Sequence, residues 1–180
     1  MTLKPYNYIL IGMSGVGKTT LGKNLASTVG YDFIDTDKLI EAKHNHSLQT
    51  VLNHFNANDD IAGFLAEEQR IFRNTEPFKH TVIATGGSFC YAPDLLKLNK
   101  GLIIHLDISW KELLARPISF ANRGFVLRKA SLYEEYSYRT PLYKKYAHLS
   151  ISCDHKSITE IVTEIKTLPA TKFAQYDNIF

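Results

Sequence analysis

The residues with the clearest chemical potential form one glycine-rich stretch near the N-terminus. It fits the phosphate-loop pattern of Gly, four residues, Gly, Lys and then Ser or Thr. Glycines let backbone N–H groups turn towards a phosphate with no Cβ in the way. The lysine supplies a mobile charge for the β- and γ-phosphates, and the threonine hydroxyl can bind Mg²⁺. The predicted nucleotide contacts are Gly12, Met13, Ser14, Gly15, Val16, Gly17, Lys18, Thr19 and Thr20.

A pair of carboxylates, Asp35 and Asp37, follows the next apolar run along the chain. Because side chains alternate along extended backbone, both carboxylates are expected on the same side. One of them can then hold a Mg²⁺-bound water beside the phosphate loop, and the other can accept a proton from an attacking hydroxyl. The alternative is that Asp37 only caps a helix and Asp35 is a surface carboxylate. Lys18 is expected on the solvent side of its helix start.

Two further features could contact an anionic ligand. Gly86 and Gly87 end a third apolar run and allow a ligand to approach the backbone closely, although a tight turn explains them equally well. Four arginines surround a loop and the helix after it: Arg116, Arg123, Arg128 and Arg139. Guanidinium groups suit anionic oxygens, although some of these arginines are expected to be ordinary surface residues.

Strands and helices are predicted to alternate along the whole chain, which indicates an α/β fold with a mostly parallel sheet. Apolar runs predict strands at about residues 8–11, 31–35, 81–84, 102–106 and 149–153. Periodicity and capping signals predict helices at about residues 18–29, 38–41, 48–52, 61–73, 93–98, 109–114, 131–146 and 158–165. Ligands of such sheets bind at the carboxyl ends of the strands, where the candidate residues fall.

Composition limits the classes of partner. The 180 residues suffice for one domain, predicted to span residues 1–168 with a tail at 169–180, and the formal net charge is only +3. With no long basic run, no membrane-length apolar run and no signal-peptide core, neither a nucleic acid nor a membrane is expected as a partner. Cys90 and Cys153 form no metal or redox motif, and two reduced thiols predict a cytoplasmic protein.

Several motifs together resemble the shikimate kinase family, a nucleoside-monophosphate-kinase-like branch of the phosphate-loop proteins. They are GMSGVGKTTLG at residues 12–22, FIDTD, ATGGS, the loop around Arg123, and YRTPLY at residues 138–143, and the likeness covers about residues 8–165. The resemblance implies a three-layer fold with five parallel strands in the order 2-3-1-4-5 and a lid at about residues 116–130. It implies a kinase that uses ATP and Mg²⁺, and we expect the protein to be a monomer.

The same resemblance implies roles for individual residues. Asp37 would contact the reacting hydroxyl, and Asp35 would lie near Mg²⁺. Gly86, Gly87 and Arg139 would bind the acceptor, with Arg139 holding its carboxylate. Arg123, sixteen residues before Arg139, would be the lid arginine. Arg116 and Lys156 would lie on the adenine side of ATP.

The sequence departs from the family pattern in three segments. Leu65 stands where the family usually has an arginine that grips the substrate carboxylate, and Ser88 replaces the third glycine of a triple. Residues 123–125 read Arg-Gly-Phe where the family usually has Arg-Pro-Leu. Shikimate is the leading acceptor. The alternatives are a related kinase for another polyol or sugar acid, and a nucleotide-binding module without transferase activity.

Overall fold

Five short parallel strands form the centre of the fold. The computed structural model describes residues 7–75, 80–92, 101–117 and 125–168. Its strands are β1 (Tyr8–Ile11), β2 (Asp32–Asp35), β3 (Thr81–Ala84), β4 (Leu102–Asp107) and β5 (Leu149–Ser152). They lie in the order β2-β3-β1-β4-β5, every neighbouring pair being parallel, which confirms the predicted fold class. The central strand β1 is buried along its length.

Helices cover this sheet. They are α1 (Lys18–Val29), α2 (Thr36–His44), α3 (Leu48–Ala57), α4 (Ile61–Asn74), α5 (Trp110–Ala115), α6 (Leu132–Tyr146) and α7 (Ile158–Thr167), with a 3₁₀ turn at Phe89–Tyr91. Several begin at a side chain that accepts a hydrogen bond from the first turn, as Ser131 does for α6. No helix in the described part of the chain has the length and apolarity to cross a membrane.

Two apolar clusters position the strand ends. The larger one packs β1, β3 and β4 against α1 and α7, and includes Leu10, Leu25, Ile104 and Ile165. The smaller one joins α2, α3 and α4. It holds α4 close to the carboxyl end of the sheet, so that α4 can contribute to a site there.

The junction of β2 and α2 corrects one sequence interpretation. β2 ends at Asp35 and α2 begins at Thr36, so Asp37 lies in the first helical turn and not on extended backbone. Asp35 is the N-cap, and its Oδ1 accepts a hydrogen bond from the Asp37 N–H at 3.0 Å. Alternation along a strand is therefore the wrong reason for placing the two carboxylates together, and Asp37 is not the cap.

Some sequence predictions fall outside the described residues. These are the helix at 93–98, the larger part of the lid including Arg123, and the tail at 169–180. The remaining predicted strands and helices agree with the structure to within a few residues at each end. Gly86, Gly87 and the loop at 12–17 all lie at the carboxyl ends of strands, which is the edge where parallel sheets bind ligands.

Candidate active site

The phosphate loop connects the carboxyl end of β1 to the start of α1. At Gly12 the backbone has φ of +143°, and a Cβ there would lie 2.7 Å from the carbonyl oxygen of Leu106. A side chain at this position would therefore clash with β4. Gly17 is the N-cap of α1 and has no side-chain cap, which leaves the positive end of the helix open towards the cleft. This arrangement fits the binding of phosphate oxygens.

Lys18 lies inside the loop, which corrects the expectation that it sits on the solvent side. Its residue is 8% exposed, and its Nζ donates to the carbonyl oxygens of Gly12 at 2.8 Å and Met13 at 2.9 Å. Burial lowers the pKa of Lys18 to about 8, although the nearby carboxylates of Asp37 and Asp35 favour its charged form. The ammonium group is thus held within the loop that is predicted to bind phosphate.

Thr19 and Asp35 form the predicted metal position. The Thr19 hydroxyl donates to Asp35 Oδ2 at 2.7 Å, which places two oxygen ligands side by side at the start of α1. Hydroxyl and carboxylate oxygens are the ligands that Mg²⁺ prefers, and it usually completes its shell with water and substrate phosphates. The described residues contain no cluster of three or more His, Cys, Asp and Glu that would hold a metal alone. The donor set therefore fits a Mg²⁺ ion that arrives with a nucleotide.

Asp37 presents a buried oxygen that has no partner in the described part of the chain. Its Oδ1 is one of two buried side-chain polar atoms without a hydrogen bond among the described residues. Burial, reinforced by Asp35 and opposed by Lys18, raises the pKa of Asp37 to about 6, so it is mainly ionised at pH 7. An unpaired, ionised oxygen at this place can accept a hydrogen bond from a ligand hydroxyl.

Gly86 separates Asp37 from Glu68 of α4. A Cβ on Gly86 would lie 2.9 Å from Asp37 Oδ1 and 2.4 Å from Glu68 Oε1. The Gly86 N–H donates to the Thr36 hydroxyl at 3.1 Å, which fixes the turn against α2. Any larger residue at position 86 would collide with these two carboxyl groups. Gly86 is therefore needed for their close approach as well as for the turn.

Ser88 holds the Glu68 carboxyl group. The Ser88 hydroxyl lies 2.6 Å from Oε1 and 2.5 Å from Oε2 of Glu68. Burial raises the pKa of Glu68 to about 8, because the Ser88 hydrogen bond and the charges of Arg139 and Lys18 do not offset it. Glu68 is therefore mostly protonated at pH 7. Leu65, one turn earlier on α4, is partly buried and adds no charge that would ionise it.

We expect Glu68→Gln to gain stability relative to the parent as pH rises from about 5 to 9. The folded pKa of Glu68 is raised, so its contribution is present below the unfolded pKa and is lost as pH rises through about 8. Glutamine does not titrate, and each pKa unit is worth about 1.4 kcal/mol, so the difference should approach roughly 4 kcal/mol. Urea unfolding at several pH values measures it.

The exposed glutamate variant Glu134→Gln serves as the control for that pH series and should track the parent. An unfolding free energy of Glu68→Gln that stays parallel to the parent across the whole range contradicts a protonated Glu68.

Arg139, which is predicted to bind the acceptor, is fully buried. Its Nη1 donates to the carbonyl oxygen of Gly87 at 2.9 Å, its Nη2 donates to that of Val126, and its Nε donates to Glu135 Oε1 at 2.6 Å. The Tyr143 hydroxyl donates to the same Gly87 carbonyl. The predicted acceptor residues Gly87 and Arg139 are therefore in direct contact.

Glu135 is a site residue that sequence reasoning missed. It is 0% exposed and forms a buried ion pair with Arg139 one helical turn away. A signal existed, because a glutamate four residues before an arginine on a helix faces it. Arg70 does not replace the arginine missing at position 65, because it binds Glu67 at 2.9 Å on the surface.

Two spaces have Asp37 in their walls. A cleft of about 830 Å³ contains most of the phosphate loop, Asp35, Asp37, Arg116 and Lys156. A space of about 10 Å³ lies deeper, lined by Ser14, Asp37, Leu48, Glu68, Gly87, Ser88, Phe125, Val126 and Arg139. The large cleft suits a nucleotide, and the small one would have to widen to admit an acceptor.

Arg116 and Lys156 also line the large cleft. Arg116 Nη1 donates to the carbonyl oxygens of Val16 at 2.6 Å and Gly15 at 3.3 Å, which anchors it across the phosphate loop. Lys156 is exposed and pairs with Glu164 at 2.6 Å. The structure thus brings the predicted nucleotide residues around one cleft, while Arg123 lies outside the described residues.

Comparisons with known proteins agree with this geometry. A model of the shikimate kinase family matches residues 14–168. Shikimate kinase from Nitrosomonas europaea is 33% identical over 166 residues, which cover 89% of this chain and 77% of that protein. Shikimate kinase from Synechococcus elongatus is 36% identical over 129 residues, which cover 71% of this chain and 66% of that protein.

The three-dimensional comparison points the same way. The solved structure of shikimate kinase from Acinetobacter baumannii in complex with shikimate superposes with a TM-score of 0.79 at 26% identity, covering 92% of this chain and 93% of that one. The family match begins within the phosphate loop, at Ser14, and includes the Asp35 and Asp37 turn, α4 and α6. The chain therefore belongs to the shikimate kinase family.

Proposed function

We propose that the chain is an ATP- and Mg²⁺-dependent kinase that transfers the γ-phosphate to a hydroxyl of shikimate. The product would be shikimate 3-phosphate, an intermediate of the chorismate pathway to the aromatic amino acids. One observation carries the proposal: Asp37 Oδ1, which has no hydrogen-bond partner among the described residues, belongs to a side chain that lines both the phosphate-loop cleft and the acceptor space. An oxygen in that place can meet a hydroxyl next to the γ-phosphate.

The proposed mechanism uses few groups. The acceptor hydroxyl donates a hydrogen bond to Asp37, its oxygen attacks the γ-phosphorus, and the bond from that phosphorus to the bridging oxygen of ADP breaks. The hydroxyl proton passes to Asp37. Lys18 and the loop N–H groups stabilise the charge that develops on the phosphate oxygens. Mg²⁺, held by Thr19 and Asp35, would neutralise charge on the β- and γ-phosphates.

The remaining assignments are part of the same proposal. Gly86, Gly87 and Arg139 bind the acceptor, and Arg116 and Lys156 bind the nucleotide outside the phosphate loop. Arg123 is the lid arginine, an assignment that rests on resemblance alone. The protein is proposed to act in the cytoplasm as a monomer, with ATP and a small hydroxylated acceptor as its partners.

An acceptor panel tests this function. ADP release is measured with ATP and Mg²⁺ in the presence of shikimate, related hydroxylated acids, polyols and sugar acids. Turnover that depends on shikimate supports the proposal. Turnover with another acceptor alone favours a related kinase, and ATP binding with no acceptor-dependent turnover favours a nucleotide-binding module.

Leu65→Arg should lower the Michaelis constant for shikimate. In the described residues the acceptor space contains one arginine, Arg139, and its donors already bind Glu135, Gly87 and Val126. A new guanidinium–carboxylate pair in a half-solvated cleft is worth about 1–3 kcal/mol, or about one to two decades in affinity. Ground-state binding of this kind should leave turnover nearly unchanged.

The matched control for Leu65→Arg is Leu65→Gln, which is polar but carries no charge. Steady-state kinetics with shikimate compare both variants with the parent. If the arginine variant raises the Michaelis constant as much as the glutamine variant does, position 65 does not face the acceptor carboxylate.

A further inference from the structure

Glu135 gathers donors from three separate parts of the chain. Its Oε1 accepts from the Tyr91 hydroxyl and from Arg139 Nε at 2.6 Å. Its Oε2 accepts from the backbone N–H groups of Arg128 at 2.7 Å and Lys129 at 2.9 Å. A fully buried carboxylate with all these partners is more than a helical ion pair. It connects the turn after β3, α6 and the described residues 125–129, which we call the return segment.

The charge of Glu135 fits this role. Burial by itself would raise its pKa, but the Tyr91 hydroxyl, the Arg139 charge and the Arg128 N–H outweigh burial and keep the pKa below its ordinary value. Glu135 is therefore an anion at neutral pH. The pKa of Arg139 stays above its ordinary value despite burial, with Tyr143, Cys90 and Glu135 favouring its charged form.

Arg139 completes the connection to the return segment. Its Nη2 donates to the Val126 carbonyl, and its guanidinium lies 4.9 Å from the Phe125 ring and 5.1 Å from the Tyr91 ring. Phe125 and Val126 line the small acceptor space together with Arg139. The return segment is thus bound at one end through Arg139 and at the other through Glu135. Any acceptor that draws a donor of Arg139 away from Val126 must disturb the segment.

We propose that Glu135 is a positioning residue, which fixes the guanidinium of Arg139 at the acceptor space and couples it to the return segment. Acceptor binding and the position of the return segment then depend on each other. This inference rests on the proposed function, because it takes Arg139 as an acceptor-binding residue. Glu135 itself lines neither the nucleotide cleft nor the acceptor space.

Glu135→Gln tests the proposal, since one amide cannot accept from both pairs of donors. The expected result is a fall of at least tenfold in kcat/KM for shikimate, with the Michaelis constant for ATP within about twofold of the parent. Glu134→Gln, the exposed neighbour on the same turn, is the matched control and should leave both parameters unchanged. Assays are run well below the melting temperature of each variant. Equal changes in both substrates, or none, overturn the positioning role.

A second measurement needs no turnover. Hydrogen exchange of the Arg128 and Lys129 amides should be at least tenfold faster in Glu135→Gln than in Glu134→Gln. Adding shikimate without ATP should alter exchange in the return segment of the parent. Unchanged exchange in the first comparison overturns the network, and shikimate binding without any effect on the segment overturns the coupling.

A third variant guards against loss of folding. Tyr91→Phe removes one donor to Glu135 and keeps both the ring and the buried ion pair. It should raise the Michaelis constant for shikimate about two- to fivefold while leaving that for ATP unchanged. A parental value in Tyr91→Phe, when Glu135→Gln does not fold, overturns the proposal. If the parent lacks turnover with every acceptor, the proposed function fails, while the exchange of the two amides still tests the network.

Discussion

Lys18→Ala is expected to abolish measurable phosphoryl transfer while the fold survives. The ammonium lies within the phosphate loop, bonded to the carbonyl oxygens of Gly12 and Met13, and faces the nucleotide cleft. Removing one preorganised donor to developing charge typically costs about 10²–10³ in turnover, and Lys18 is a full charge. Acceptor-dependent ADP release, measured at saturating ATP, checks this.

The melting temperature shows whether the loss of phosphoryl transfer in Lys18→Ala is caused by unfolding. Burial lowers the pKa of Lys18 to about 8 despite the opposing effect of Asp37 and Asp35, so carrying this charge costs folding free energy, and alanine should leave the melting temperature equal or higher. Lys23→Ala, an exposed lysine on the same helix, is the matched control. A turnover number in Lys18→Ala equal to that of Lys23→Ala contradicts the phosphate-loop assignment.

The fold is predictable because its signals are local. Each strand is a short apolar run, and the capping residues Ser47, Ser131 and Ser157 mark helix starts in the sequence itself. Strand order follows from resemblance to a family and not from periodicity, since parallel order depends on long-range packing that no local pattern encodes. The confirmed order β2-β3-β1-β4-β5 therefore tests the resemblance more than it tests the pattern.

Several features of the candidate site cannot be predicted from local sequence patterns. Strand alternation is the wrong reason for expecting Asp35 and Asp37 side by side, since helix capping sets their geometry. The contact of Ser88 with Glu68 joins residues twenty apart in sequence, and only the packing of α4 on the sheet produces it. Lys18 is buried because the phosphate loop folds over its side chain, with Nζ bonded to two carbonyl oxygens of the loop.

Glu135 differs from those cases, because its spacing from Arg139 is visible in the sequence. When the arginines are interpreted only as ligand-binding groups, the carboxylate that neutralises a buried guanidinium is not identified. A buried cation needs a partner, and on a helix the residues one turn away are the first candidates. Applied to Arg139, that rule identifies Glu135 from the spacing of the two residues alone.

Asp37→Asn is expected to lower turnover by about 10²–10⁴, the usual contribution of a general base, while the Michaelis constant for ATP changes little. Asparagine keeps the shape of the side chain but cannot take the hydroxyl proton. A loss confined to the transition state lowers kcat and kcat/KM for the acceptor alike. The exposed variant Asp32→Asn, on the strand that leads into the site, is the control and should behave as the parent.

The same substitution should stabilise the protein in the absence of ligands. A loss of turnover then cannot be attributed to unfolding. The folded pKa of Asp37 is raised from 3.8 to about 6, so ionising it above that range costs folding free energy. At pH 7 asparagine avoids this cost, and the gain should be up to roughly 3 kcal/mol. The trade of stability for activity is common at active sites. Weaker ATP binding with unchanged turnover would instead assign Asp37 to the metal site, and a less stable variant would mean that Oδ1 has a partner in the free protein.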